Sequence, residues 1–309
     1  MDSILDSSGF AKIFGTTPED VEEVCGDILS KYDFRYTFLG QTEFEKTLLE
    51  VIKTIDSDTL SVSGKGRQTD WEYGWNENLK LFIENNYDLS VLIPKYMHKF
   101  QVKRLFSRYI HPYDKMFEIN FYNIYRHYLF MKYLGQCHNV YEFGCGTGYN
   151  LVIMARLFPN MSLTGLDWAS SSVKLVETIA SAYRFNLKGK RFDYFDPDYS
   201  LTIGDNSVFI TLNSMEQLGN NYHAFLDFVL RKKPSLCINS EPFLELYDEN
   251  NLLDYLAIKY HRKRNYLNGY LSDLKKLEND NKIEILKIQR VPFGSIFHEG
   301  YSFVIWKVL

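Results

Sequence analysis

One short run, Val140-Tyr141-Glu142-Phe143-Gly144-Cys145-Gly146-Thr147-Gly148-Tyr149-Asn150, constrains the fold of this chain more than any other stretch. An apolar strand-like segment enters three alternate glycines, and a helical pattern over residues 151–158 leaves them. Glycines at a strand-to-helix turn let the backbone bend sharply and let a ligand reach main-chain N–H groups with no Cβ in the way. The helix N-terminus behind them favours negative charge, such as a carboxylate or phosphate. The run therefore predicts a βα unit that holds a nucleotide-like ligand.

The remainder of the chain agrees with that unit from residue 139 onward. Short apolar runs at residues 140–143, 162–166, 191–194, 208–212, 236–239, 283–288 and 302–308 alternate with helical segments, the signature of a parallel sheet wrapped by helices. About a dozen residues (289–301) separate the last two runs, too few for a helical crossover, so these two strands pair antiparallel. A helix over residues 170–183 places Val173, Val176, Ala180 and Tyr183 on one face to pack on the sheet. Upstream of residue 136 the apolar spacing is helical. Thr17-Pro18-Glu19-Asp20 reads as an N-cap, a proline at the first helical position and two acids in the first turn, opening a helix towards Lys31. Further helices are expected at 43–55 and 117–134, with a polar loop at 56–69, then Trp71-Glu72-Tyr73-Gly74-Trp75 and an amphipathic segment at 77–85. The fold class is α/β: a seven-stranded, mostly parallel sheet with an antiparallel last strand, in residues 113–309, behind a mainly helical N-terminal appendage or lid in residues 1–112.

Charge narrows the partners. With 35 Lys+Arg against 39 Asp+Glu the net charge is −4, so there is no global basic field to hold a phosphate backbone, and no nucleic acid is expected as partner. No apolar run approaches the ~18 residues needed to span a bilayer, and residues 1–14 lack a basic region followed by an apolar stretch, so a cytoplasmic protein with no membrane partner is expected. Cys25, Cys137, Cys145 and Cys237 show no CxxC spacing and signal neither a metal site nor a disulfide framework. The 23 Tyr and 23 Phe are enough rings to line a cleft as well as fill a core, although an AT-rich coding bias produces the same excess.

Two details select the ligand. A dinucleotide fingerprint needs a third glycine where Tyr149 stands, and a phosphate-binding loop needs a Gly-Lys-Ser/Thr that is absent. Asp167 lies 19 residues past Gly148, where an acid accepts hydrogen bonds from ribose hydroxyls, and Trp168 beside it can cover an adenine face. The combination suits an adenosyl group without a diphosphate. In the acid-x-Gly-x-Gly-x-Gly run at 142–148, Asp167, the Phe-Asp-Tyr-Phe-Asp-Pro-Asp stretch with Asp196, and Asn213-Ser214-Met215-Glu216-Gln217-Leu218, residues 136–309 resemble the class I S-adenosylmethionine-dependent methyltransferases, whose sheet is Rossmann-like. The resemblance implies S-adenosylmethionine as cofactor. Glu142, Gly144, Gly146 and Gly148 would then bind its methionine end, with Cys145 and Asn150 in the same turn. Asp167 would bind the ribose, and Trp168 and Asp196 the adenine, Asp193 competing with Asp196 for that role. Asn213 would face the sulfonium.

Methyl transfer from a sulfonium is an in-line displacement, so the protein's work is alignment and, for a hydroxyl acceptor, removal of a proton. Candidate bases are His298, Glu241, His261 and Glu216. Glu241 precedes Pro242, which keeps it extended at a strand end. His261-Arg262-Lys263-Arg264 is either a solvated face or a site for an anionic substrate, and His298 sits in the loop between the last two strands. Trp71, Trp75, Tyr109 and His111 either form a lid that excludes water or pack the appendage on the core. The expected function is methyl transfer to an oxygen or nitrogen of a small molecule, such as a sugar or sugar derivative. The alternative is a non-catalytic adenosyl-binding or scaffold protein that uses its helical appendage to recognise a partner.

Overall fold

The computed structural model describes residues 2–93 and 101–309, so residues 1 and 94–100 of the appendage lie outside it. The first part of the chain runs β1 (Asp2–Ile4), α1 (Ser7–Phe14), α2 (Pro18–Leu29), β2 (Arg35–Phe38), α3 (Gln41–Asp56), α4 (Gln68–Glu84), β3 (Lys103–Leu105) and β4 (Arg108–Pro112). Next come α5 (Phe117–Leu134), β5 (Asn139–Phe143), α6 (Tyr149–Leu157), β6 (Ser162–Asp167), α7 (Ser170–Tyr183), β7 (Leu187–Arg191), β8 (Ser207–Leu212) and α8 (His223–Lys232). The chain closes with β9 (Leu236–Ser240), α9 (Leu252–Arg264), α10 (Tyr270–Asn279), β10 (Ile283–Gln289), β11 (Phe293–Gly294) and β12 (Phe303–Val308).

The local signals work as their chemistry requires. Thr17 caps α2 by accepting from the Asp20 N–H at 3.2 Å, and Pro18 occupies the first turn, where its missing donor costs nothing. Helix α5 is buried on nearly every side, as expected of a helix whose aromatic residues leave no polar face. Phe121 stacks on Phe10 of α1 and on Phe293 of β11, and Tyr122 lies 5.1 Å from the Tyr301 ring. This helix is the axle between the two ends of the chain.

Seven strands form the main sheet in the order β10-β12-β9-β8-β5-β6-β7. Strands β5 to β9 pair parallel, and β12 runs antiparallel to both β9 and β10. The strand order reverses between β5 and β8, which opens a crevice beyond their carboxyl ends. Two sequence expectations need correction here. The third strand lies at Leu187–Arg191, not 191–194: it is a polar edge strand, Leu-Lys-Gly-Lys-Arg, while the apolar Phe192 and Tyr194 fold into the following turn against Phe225 of α8. The buried face of α7 is Ser172, Leu175, Val176 and Ile179, so the stripe is rotated from the expected one, and Tyr183 is exposed.

A second, five-stranded sheet, β1-β2-β4-β3-β11, has no counterpart in the sequence reading, since strands of two to five residues are too short to show alternation. Four of its strands lie within residues 1–112, but β11 comes from the loop between β10 and β12 and pairs with β3, Phe293 opposite Leu105 and Gly294 opposite Arg104. A buried ion network fastens the same seam. Arg104 meets Asp254 of α9 and lies 3.1 Å from Glu299, and Arg290 holds Glu299 and Asp254, each at 2.7 Å. Two cations against two carboxylates leave the cluster neutral, which makes burial of these charges tolerable.

Candidate active site

The glycine turn forms the floor of the crevice. Gly144 and Gly146 have φ of +69° and +53°, a left-handed backbone, and each lacks a Cβ for a separate reason. At Gly144 the added atom would run into Ser214, and at Gly146 it would stand 3.0 Å from the Trp75 ring. Gly148 differs: its open side faces Val176 and Ile179 of α7 at 3.1 and 3.3 Å, so it serves helix packing and does not line the cavity. Cys145 is a filler, its thiol 3.6 Å from the Ser172 hydroxyl and raised far above its ordinary pKa by burial. Asp167 accepts from the Gly146 N–H and the Ala169 N–H, both at 2.9 Å, so it ties the end of β6 to the turn, and burial lifts it to about 6.

Glu142, at the end of β5, is fully buried and lines neither cavity itself; Asn150, which it holds, lines the larger one. Glu142 Oε1 accepts from Asn150 Nδ2 at 2.6 Å, while Oε2 is buried with no partner. Burial pushes the carboxyl up to about 8, against the pull of Asn150 and Arg126. Arg126 donates to Asn150 Oδ1 at 2.8 Å and sits over the rings of Tyr122 and Tyr149, at 4.1 and 4.8 Å. An unpaired carboxylate oxygen in such a setting is a place for a cation, and the ammonium of a methionine moiety has the required charge.

The turn after β8 carries the second wall. Asn213, with φ of +55°, lines the crevice and donates to the Gly300 carbonyl. Ser214 donates to the Phe143 carbonyl at 2.9 Å and accepts from the Tyr194 hydroxyl at 2.7 Å. Glu216, in the 3-10 turn Met215–Leu218, lines the large cavity; its Oε1 accepts from Gln217 Nε2 at 2.9 Å, and burial raises it to about 7. Glu241 does not reach the cavity. Its oxygens accept from the N–H groups of Ser214, Met215 and Glu216 at 3.1 to 3.2 Å, so it holds the β8 turn, which excludes it as a base. Asp196 is exposed and lines neither cavity, because its turn directs Tyr194 inward instead; Asp193 accepts from the Phe195 N–H.

Between the sheet and the appendage lies a cavity of about 1320 Å³, which shares Trp71, Trp75 and Gly144 as walls with a smaller slot edged by Asp167, Trp168 and Tyr194. Trp71 and Trp75 of α4 stack on each other at 5.3 Å, and Trp168 stacks on Phe195 at 6.0 Å. The tryptophans are held down by Glu72, whose carboxylate accepts from the Ser170 and Ser171 N–H groups at 2.7 and 2.9 Å and so caps α7, which has no cap of its own. The other two lid candidates are elsewhere: Tyr109 is buried and donates to the Ile296 carbonyl at 2.7 Å, and His111 pairs with Glu43 on the surface at 3.4 Å. His298 lines the cavity, and its Nδ1 lies 3.2 Å from Nε2 of His261, which is wholly buried behind it and does not line the cavity. Burial and the neighbouring Arg264 hold His298 down at about 3. Several groups escaped the sequence reading. Arg126 was marked only by being a charge inside an aromatic helix, and nothing local marks Glu72, Arg67 or the Lys103–Glu118 pair in the cavity wall.

A seven-stranded sheet in this order, with a reversed final strand, a glycine turn after the first parallel strand and an acid ending the second, is the architecture of the class I S-adenosylmethionine-dependent methyltransferases. A malonyl-[acyl-carrier protein] O-methyltransferase of Bacillus cereus is 31% identical over 100 residues, which are 29% of this chain and 35% of that protein. The chain thus spans about a third of the length of the curated relative it matches. No family model matches the chain. Among solved structures, a geranyl diphosphate methyltransferase in complex with SAM is 12% identical, covering 64% of this chain and 92% of that one at a TM-score of 0.46. The geranyl diphosphate C-methyltransferase of Streptomyces coelicolor A3(2) is 13% identical, covering 64% and 85% at 0.45. No helix among the described residues is long and apolar enough to cross a membrane.

Proposed function

We propose that this protein is an enzyme that transfers the methyl group of S-adenosylmethionine to an oxygen or nitrogen of a small molecule, a sugar or sugar derivative being one such acceptor. The observation that carries the reading is the unpaired, buried Oε2 of Glu142 beside a Cβ-free turn at the point where the strand order reverses. When bound, the donor supplies an activated methyl group on a positive sulfur. Glu142 holds the ammonium, positioned by Asn150 and through it by Arg126. Asp167 would offer its remaining lone pairs to the ribose, and Trp168, in the same slot, would bind the adenine. Asn213 and the β8 turn would hold the sulfonium end.

Glu216 is the group placed to take a proton from the acceptor. It lines the cavity, one oxygen is outside the Gln217 contact, and a carboxyl at about 7 is poised for proton transfer near neutrality. Residues 1–112 act as the lid over the donor-binding unit at 113–309, Trp71 and Trp75 excluding water from the methyl group. A cavity larger than most ligand sites leaves room for an acceptor beside the donor. Four free cysteines support a reducing compartment such as the cytoplasm.

The test is donor binding by calorimetry. Glu142→Gln and Asp167→Asn, both near-isosteric, are expected to weaken S-adenosylmethionine at least tenfold. Wild-type affinity in both variants would overturn the assignment. Incubation with labelled donor and cell extract separates an enzyme from a scaffold, which would pass no label on.

A further inference from the structure

We propose that the acceptor is an anion with an apolar body, and that its charge is held at the far end of the cavity by Arg67 and Arg264. The proposal deepens the methyl-transfer reading and rests on it for the identity of the bound molecule as acceptor. The hydroxyl of Ser61 accepts from Arg264 Nη1 at 2.6 Å and from Arg67 Nη1 at 3.3 Å, so two guanidinium groups converge on one uncharged oxygen. Arg67 has Asp70 beside it at 2.8 Å, a carboxylate largely in solvent. Arg264 has no carboxylate within salt-bridge distance among the described residues, and its Nε–H is buried without a partner. Like charges brought together with too few counter-ions mark a site for a negative group, and paired guanidinium donors suit a carboxylate or phosphate.

Glu216 is, among the described residues, the one carboxyl that both guanidinium groups act on, and burial lifts it to about 7, so near neutrality it supplies only part of a charge against two cations. The Tyr266 hydroxyl accepts from Arg264 Nη2 at 2.9 Å and bonds the Tyr260 hydroxyl, which fixes the guanidinium in place. For His298 the tautomer follows from the residue behind it. Were His298 Nδ1 to donate to His261 Nε2, His261 would carry its proton on Nδ1, a buried N–H with no partner. The opposite arrangement leaves only a lone pair unpaired there, because His261 Nε2–H donates to His298 Nδ1. A buried unpaired N–H is the rarer outcome in folded proteins. His298 therefore presents Nε2–H to the cavity, as a donor and not as a base. In this proposal His298 binds the acceptor, and His261 sets its tautomer. Leu49, Leu60, Tyr260 and Phe297 line the same region and supply apolar surface for the body of the molecule.

The experiment titrates the full-length protein by calorimetry with benzoate, phenyl phosphate and benzamide, each with and without saturating S-adenosylhomocysteine. Benzoate or phenyl phosphate is expected to bind at least tenfold more tightly than neutral benzamide, the tighter of the two identifying a carboxylate or a phosphate acceptor. Arg264→Gln and Arg67→Gln should each remove that preference. Arg262→Gln, on an exposed neighbour that pairs with Glu249, should keep it. Equal binding of benzamide, no anion binding, or a preference that survives Arg264→Gln would overturn the proposal. Because the cations are fixed by Ser61 and Tyr266, the preference should persist without S-adenosylhomocysteine. Failure of S-adenosylhomocysteine to bind would count against the donor reading alone.

Discussion

The two ends of the cavity are built in opposite ways. At the glycine turn the groups offered to a ligand are carboxylate oxygens, the unpaired Oε2 of Glu142 and the oxygens of Asp167 that hold the Gly146 and Ala169 N–H groups, supplied by a stretch of fewer than thirty consecutive residues. At the far end they are N–H donors, from a 3-10 turn near residue 67, the end of α9 and the loop before β12. One end asks for a cation and the other for an anion. A charged donor and an oppositely charged acceptor would be drawn to different ends, which keeps each out of the other's place before any contact is made.

Variants can break this division. The largest effect is expected from Glu216→Gln, between the two ends: kcat should fall by about 10² to 10⁴ while donor affinity holds, the usual range for loss of a general base. In the wild type, kcat should rise with pH through about 7 as Glu216 loses its proton, and a flat profile would exclude it. Next comes Glu142→Gln, expected to weaken the donor by about 10 to 100-fold, the range for a charge-assisted bond, and to leave benzoate affinity as it was.

Smaller effects concern stability. Glu142 and Glu241 are each lifted to about 8 from a carboxyl's ordinary 4.5, so the folded state binds their protons more tightly than the unfolded chain. Their contribution is complete at low pH and is lost as pH rises through about 8. His261 and His298 are displaced below 6.5, so they oppose this loss only slightly, as the unfolded chain gives up its last histidine protons just above 6.5. Stability without ligand should therefore drop between pH 6.5 and 8, by about 1 to 2 kcal/mol for each of these two carboxyls and by less for Glu216. Chemical denaturation at the two pH values measures the drop, and Glu142→Gln should remove that carboxyl's share and leave that of Glu241. The smallest expected effect is that of Glu72→Ala, which uncaps α7 at a cost of about 1 kcal/mol, the usual value of an N-cap, and should speed donor release in stopped-flow.

The same division explains what could be read from the sequence. Strand, glycines and helix at 139–157 are contiguous, so local chemistry sufficed to place them, and Asp167 followed by spacing. Glu241 could not be judged this way. Its position at a strand end is common to bases and to turn-holding acids, and only the three N–H groups of the β8 turn, some 25 residues earlier, decide between them. Asp196 failed for a related reason: the strand register before it was displaced by the polar edge strand β7, so the wrong member of its turn was placed inward. Arg264 lies about 200 residues from Ser61 and Arg67 in the chain, and no local pattern connects it to them.

Strand β11 bears on how such a protein can be recombined. Gly294 sits so close to the His298 carbonyl and to Glu299 Cα that no side chain fits, and its neighbour Phe293 stacks on Phe121. A chimera that exchanged residues 1–112 with those of a relative would keep a two-residue strand matched to an edge no longer there. The natural unit of exchange is discontinuous, the first 112 residues together with the 289–301 loop, since only both pieces together keep the β3–β11 pairing whole.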